Sequence, residues 1–223
     1  MILLALMLVA DTTVLSCNGT PRTIRADSAR YELRNIMSDG TSFVSSTHTI
    51  VIRDTAIGGS PASVFHGRWR HHRDNAEAPE RIIICAHGLA PVSMDHRGAR
   101  LGRRTAVFSG RRAEYQAGEG AVLHDSLPAL PYPREAFYIL APILAAEGER
   151  SYVLPVYRIE GDSPAERFSW TAVRVHRAAQ DGLMQVDVTG FGGTLEYFVD
   201  TARGVVVKVR LALEFGVIEE VRL

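Results

Sequence analysis

From about Ala29 onward the chain alternates short runs of β-branched and aromatic residues with Gly, Asp, Asn and Pro. Apolar residues at every second position, bounded by turn residues, predict strands joined by hairpins. Tyr31 to Met37 is the first such strand, Ser38-Asp39-Gly40 supplies an Asp-Gly turn, and Thr41 to Arg53 returns with Ile50 and Ile52 on one side. Ser63 to Trp69 follows the Gly58-Gly59-Ser60-Pro61 break, and the polar stretch from Arg70 to Glu80 reads as a flexible loop. Arg81 to His87, Arg103 to Gly110 and Arg111 to Ala117 continue the sheet. In the proline-rich stretch from Ser126 to Pro133 no regular element is expected, after which Arg134 to Leu140 reads as a short helix closed by Pro142. Strands resume at Ser151 to Ile159, Phe168 to His176, Leu183 to Thr189, Leu195 to Asp200, Val205 to Leu213 and Val217 to Leu223. The pattern predicts a mostly β, antiparallel fold with one short helix and a Pro-rich segment near the middle.

At 223 residues, 46% hydrophobic and 22% charged, the chain has the composition of a globular protein, and all-β units of this size commonly form one domain. Its 25 basic and 25 acidic residues balance, so no overall field draws it to nucleic acid, which is excluded as a partner. Ile2 to Ala10 is an unbroken apolar run, the length of a signal-peptide core and far short of the roughly 20 residues that span a bilayer. Cleavage after Ala10, or lipidation of Cys17 in the lipobox-like Val14-Leu15-Ser16-Cys17, are both compatible with it, as is a plain first strand or helix. Residues 1–17 are therefore assigned to a signal or lipoprotein-type segment or a disordered N-terminus, and 18–223 to a single β domain. The expected location is periplasmic or outer-envelope associated, not transmembrane. With Cys17 assigned to that segment, Cys85 is left to be a small buried hydrophobe and no disulfide is expected.

Reactive side chains are scattered. Cys85, His87, Asp95 and His96, with His124 and Asp125 further on, are the richest group, and His87, Asp95, His96 and His124 would be the ligands of a metal that activates water. None of the tight spacings of zinc sites is present, and surface histidines are the simpler explanation. His66, His71 and His72 around Trp69 read as a solvated strand end and loop. His87-Gly88 lacks a companion nucleophile elbow, and Gly190-Phe191-Gly192-Gly193 has the context of a turn. Six arginines from Arg97 to Arg112 precede the next acidic residue, Glu114, a pattern that suits a solvated, edge-protecting face or an attraction to lipid headgroups. The aromatic residues Tyr152, Tyr157, Phe168, Trp170, Tyr197 and Phe198 are expected in the core. No catalytic residue and no cofactor are assigned.

The second half carries a resemblance. Phe137-Tyr138-Ile139-Leu140, Gly148, Tyr152-Val153-Leu154-Pro155-Val156 and the run from Tyr197 through the Asp200-Thr201-Ala202-Arg203-Gly204 turn to Val209 resemble a family of bacterial exported proteins. That family is similar in turn to the periplasmic lipoprotein carriers of the Lol type. The resemblance covers about the last ninety residues. It implies a strongly curled sheet forming an open half-barrel, with a helix or loop over an apolar cavity. On that basis the expected function is an exported, non-catalytic cell-envelope protein that carries or binds an apolar, lipid-like ligand. The alternatives are a metal-assisted hydrolase and a structural module that binds another envelope protein. Oligomeric state and ligand identity are not legible.

Overall fold

Alternation with a period of two produces strands almost throughout. The computed structural model describes residues 24–223 apart from 86–88, 99–101, 180, 181, 191, 192 and 215. The strands are β1 (Asp27–Met37), β2 (Ser42–Ile57), β3 (Ser60–His71), β4 (Glu77–Cys85), β5 (Pro91–Gly98), β6 (Gly102–Ser109), β7 (Arg112–Ala117) and β8 (Leu123–Ser126). There follow β9 (Tyr132–Pro133), β10 (Arg150–Tyr157), β11 (Phe168–Arg177), β12 (Met184–Thr189), β13 (Thr194–Asp200), β14 (Val205–Leu213) and β15 (Gly216–Arg222). A 3-10 turn at Arg134–Ala136 leads into helix α1 (Phe137–Ala146), and the single-turn helix α2 (Pro164–Arg167) precedes β11. The expected signal segment, Ile2 to Ala10, and Cys17 lie outside the described residues.

All fifteen strands form one open sheet, running from β8 back to β1, then from β15 back to β9. The first and last strands therefore pair at its middle, with Tyr31 opposite Arg222 and Met37 opposite Gly216. The two outer strands, β8 and β9, are consecutive in sequence and joined only by residues 127–131. That connection spans at most about 20 Å, so the sheet has to curl until its edges approach one another. The expected mostly β, curled, open architecture is observed. It is not purely antiparallel, because β9 pairs with β10 in parallel, Val156 opposite Tyr132 and Tyr157 opposite Pro133. The reason is topological: α1 lies between these strands as a crossover, and a crossover returns the chain in the same direction.

Side chains bridge the seam that the backbone leaves unpaired. Asp125 on β8 accepts two hydrogen bonds from Arg167, at 2.7 and 2.8 Å, and both side chains are essentially inaccessible. The Tyr157 hydroxyl of β10 donates to the same carboxylate at 3.2 Å, and the Arg167 guanidinium lies 4.0 Å above the Tyr115 ring of β7. Arg104 of β6 reaches the carbonyl of Glu160 and the carboxylate of Asp162, the latter at 2.7 Å. The run of arginines is thus not uniformly solvated, since Arg104 is buried.

Three further expectations change. The helix does not stop at Pro142 but runs through it to Ala146, because Phe137, Ile139, Leu140, Ala141, Leu144 and Ala145 are buried on one body. That burial outweighs a proline penalty of about 3 kcal/mol. Residues 70–80 are not a flexible loop: β3 continues to His71, and a turn with left-handed Asn75 and an Asp74 carboxylate accepting from the Ala76 amide at 2.9 Å starts β4. The strand β5 was not expected, since its Val92 and Met94 are too few to mark a run, yet both are buried. Cys85 is buried beside Val92, Ile57 and Ile83, as expected of a small hydrophobe. The expectation of no disulfide turns on Cys17, which lies outside the described residues.

Candidate functional site: a polar belt inside the half-barrel

Most of the concave face is built from Ile50, Ile52, Phe65, Ile82, Ile84 and Met94, with Val186, Val188 and Val199 on the other half. At one end the same inward positions carry polar side chains instead. On β2, His48 is in phase with Ile50 and Ile52 and so points inward with them. Cross-strand register sets its neighbours: Trp69 of β3 opposite His48, Glu80 of β4 opposite Gly67, and His96 of β5 opposite Glu80. Glu220 of β15 faces the same space from across β1. The 3-10 turn adds Arg134 and Glu135, and the first turn of α1 adds Tyr138.

These groups form a bonded belt. His48 Nδ1 lies 2.6 Å from Glu220 Oε1, and the Tyr138 hydroxyl donates to the second Glu220 oxygen. The Trp69 indole N–H donates to Glu80 Oε1 at 2.8 Å, while its ring stacks on His48 with centroids 3.9 Å apart. His48, Glu80 and Glu220 are 1%, 7% and 5% exposed. A carboxylate only accepts, so His48 carries a proton on Nδ1 and turns Nε2 away from Glu220. His48 Nε2 has no hydrogen-bond partner among the described residues. Arg134 bonds Glu160 and stands 3.3 Å from Glu135. Burial, reinforced by the Glu160 charge, pushes the Glu135 carboxyl up to about 8 against the opposing pull of Arg134. Burial and then Glu220 push the Tyr138 hydroxyl up as well.

The belt encloses one side of a cavity of about 1250 Å³. Leu33, Leu195, Tyr197, Val209, Leu211 and Ile218 form its apolar wall, and Phe43, His71, His72, Arg73 and Asp74 its rim. Ser46 and Thr47 hold the rim imidazoles of His71 and His72 at 3.0 and 2.8 Å. His71 ends β3 half-buried and His72 stands exposed in the turn after it, so the expected solvated strand end and loop is observed, with both imidazoles held by hydrogen bonds. A second space of about 630 Å³ lies along α1 between Ile24, Ile52, Ile143 and Val205. The main cavity is amphipathic, where the resemblance implies an apolar one.

Of the metal candidates, Asp95 and His96 are adjacent on β5 and point to opposite faces, Asp95 paired outside with Arg103 at 2.8 Å and His96 inside near Glu80 at 3.7 Å. His124 lies three strands away, exposed, 3.9 Å from Glu114. His87 lies outside the described residues. The structure does not bring Asp95, His96 and His124 together, and no cluster of three or more metal-ligating side chains occurs among the described residues. Tyr157 and Tyr197 are core residues as expected, whereas Trp170 is 56% exposed. His48, Glu80, Glu135, Tyr138 and Glu220 were not singled out from the sequence. The usable signal was a polar residue in phase with inward aliphatics, as His48 is with Ile50 and Ile52.

Fold and site define an open, curled, mostly β half-barrel with a large internal cavity and an inward polar belt. No protein-family model matches the chain, and no curated protein matches it. Among solved structures, the chain is similar to a β-barrel-like protein of the domain of unknown function DUF1849 from Brucella abortus. The two are 10% identical, the alignment covers 91% of this chain and 97% of that one, and the TM-score is 0.45. No helix among the described residues is long and apolar enough to cross a membrane.

Proposed function

We propose that this protein is an exported, non-catalytic cell-envelope protein that carries or binds a lipid-like amphiphile inside the half-barrel. The observation that supports this most is the cavity itself. At about 1250 Å³ it exceeds the roughly 300–1,000 Å³ of ordinary small-molecule sites. It offers an aliphatic wall for a chain and polar groups for a head. A ten-carbon chain buried there gains on the order of 8 kcal/mol before ordering costs. Three features favour a carrier over an enzyme. The candidate metal ligands on β5 and β8 diverge, and the hydroxyl of Ser45, the one serine among the described cavity residues, already accepts from Asn35 at 2.7 Å. The curled sheet covered by α1 is also the architecture that the resemblance to lipoprotein carriers implies.

Native mass spectrometry of protein isolated gently from the cell envelope tests the proposal. The expected result is a non-covalent apolar adduct that is lost on denaturation, together with melting temperatures that rise with the chain length of added alkyl amphiphiles. An adduct-free protein whose melting is indifferent to every amphiphile would refute it.

A further inference from the structure

The two internal spaces lie end to end along the strands. On β2, His48 lines the main cavity and Ile52 the second space; on β14, Val209 lines the main cavity and Val205 the second space. Each pair is four residues apart, about 13 Å along a strand. The layer between is filled. Ile50 and Tyr31 are 1% and 2% exposed, and the Tyr31 hydroxyl donates to the Val206 carbonyl at 2.8 Å.

Helix α1 shows where the two spaces meet. Tyr138, Ile139, Pro142, Ile143 and Ala146 line the second space. Tyr138, Pro142 and Ala146 follow at intervals of four, so the lining is one face of the helix, about 12 Å long from its first turn. Of the described residues of α1, only Tyr138 also lines the main cavity, and no other described residue borders both spaces. Its hydroxyl donates to Glu220. Its ring stands 5.5 to 6.1 Å from those of Tyr31, His48, Phe65 and Tyr197. A ring tied at its tip and packed on several sides is held in one position, as a wall.

The space beyond that wall suits hydrocarbon and not a polar head. Its polar residues are engaged: Arg25 with the Arg203 carbonyl, Asp27 with Arg222 at 2.8 Å and Glu147 with the Tyr152 hydroxyl at 2.9 Å. Ile24, Ile52, Ile139, Ile143 and Val205 make up most of the rest.

We infer that Tyr138 is the partition that limits chain length: the tail of a bound amphiphile ends against its ring, and the second space is not reached. This rests on the carrier reading and specifies its ligand class, amphiphiles whose tail fits the main cavity alone.

Isothermal titration of the full chain with lysophosphatidylcholines from hexanoyl to stearoyl tests it. Each methylene added on the apolar wall is expected to tighten binding about four-fold, until the chain meets the ring and affinity levels off. Tyr138→Ala is expected to move that plateau to longer chains. Tyr138→Phe is expected to leave it in place, because the ring and not the hydroxyl forms the wall. Ile143→Trp, which fills the second space, is expected to leave the plateau of the unaltered protein where it is and to restore it when combined with Tyr138→Ala. Affinity that climbs to stearoyl in the unaltered protein, or a plateau unmoved by Tyr138→Ala, would overturn the partition and leave the carrier intact. So would a plateau shortened by Ile143→Trp alone, which decides the matter even if Tyr138→Ala does not fold. Failure of the whole series to bind the unaltered protein would overturn the carrier reading, and the partition with it.

Discussion

Glu135 shows how one side chain can impose a pH dependence on the whole. Its carboxyl is raised from 4.5 to about 8, first by burial and then by Glu160. Between those values the folded protein holds a proton that the unfolded chain has released, so stability falls as pH rises. For a single group the slope is at most about 1.4 kcal/mol per pH unit. Glu135→Gln is expected to flatten that slope, with little effect at pH 5 and a stabilisation that grows towards pH 8, as measured by urea unfolding across the range. An unchanged slope in the variant would assign the dependence elsewhere. Such residues are hard to read from sequence. Glu135 follows a proline-rich stretch and Glu220 sits in the last strand, and nothing in their local context distinguishes them from solvated carboxylates. Their meaning comes from register and topology, which place β15 beside β1 and the 3-10 turn over both. His48 was more accessible to reasoning, because its phase with Ile50 and Ile52 already directs it inward.

At the scale of elements, alternation and turn chemistry disclosed most of the strands, and the clearest prediction, Val205 to Leu213, is β14 to the residue. Errors arose where a tertiary term overrode a local one. Burial of its apolar face carried α1 past Pro142, and pairing on both sides made β5 a strand despite its few apolar residues. The ladder joining β1 and β15 has its own local requirement at Gly216. There φ is 154°, and an added Cβ would sit 2.3 Å from the Ile36 carbonyl oxygen. Relief requires the backbone of one strand to move. Gly216→Ala is expected to cost about 2–3 kcal/mol in equilibrium unfolding, as a strained substitution that disturbs a central ladder. Gly40→Ala, at a left-handed turn with nothing within 4 Å, is the comparison and should cost only about 1 kcal/mol. Equal losses would mean that the contact at Ile36 is without consequence.

For the whole molecule, the unclosed sheet and its bridged seam belong together. Asp125 and Arg167 are 42 residues apart and meet only because β8 and β9 are the two edges of one curled sheet. No pattern in the sequence pairs them, since Asp125 follows His124 in a polar run and Arg167 stands in the charged run Glu166-Arg167. Arg167→Met alone leaves a buried carboxylate without its counter-ion and is expected to cost about 3–5 kcal/mol. The double change Asp125→Leu with Arg167→Met is expected to recover most of that loss in the same unfolding assay. A double variant no more stable than the single one would show that the two ions are not coupled across the seam.

The order of the strands also bears on how the sheet assembles. Strands β2 to β8 can be added to β1 one hairpin at a time, but the other edge of β1 waits for β15, 179 residues further along than Met37. Until β15 docks, the innermost strand of the finished sheet has one bare edge, a template for pairing with any other chain nearby. A folding chain of this design is most at risk of aggregation before that pairing forms, and a holding chaperone would do most good until then.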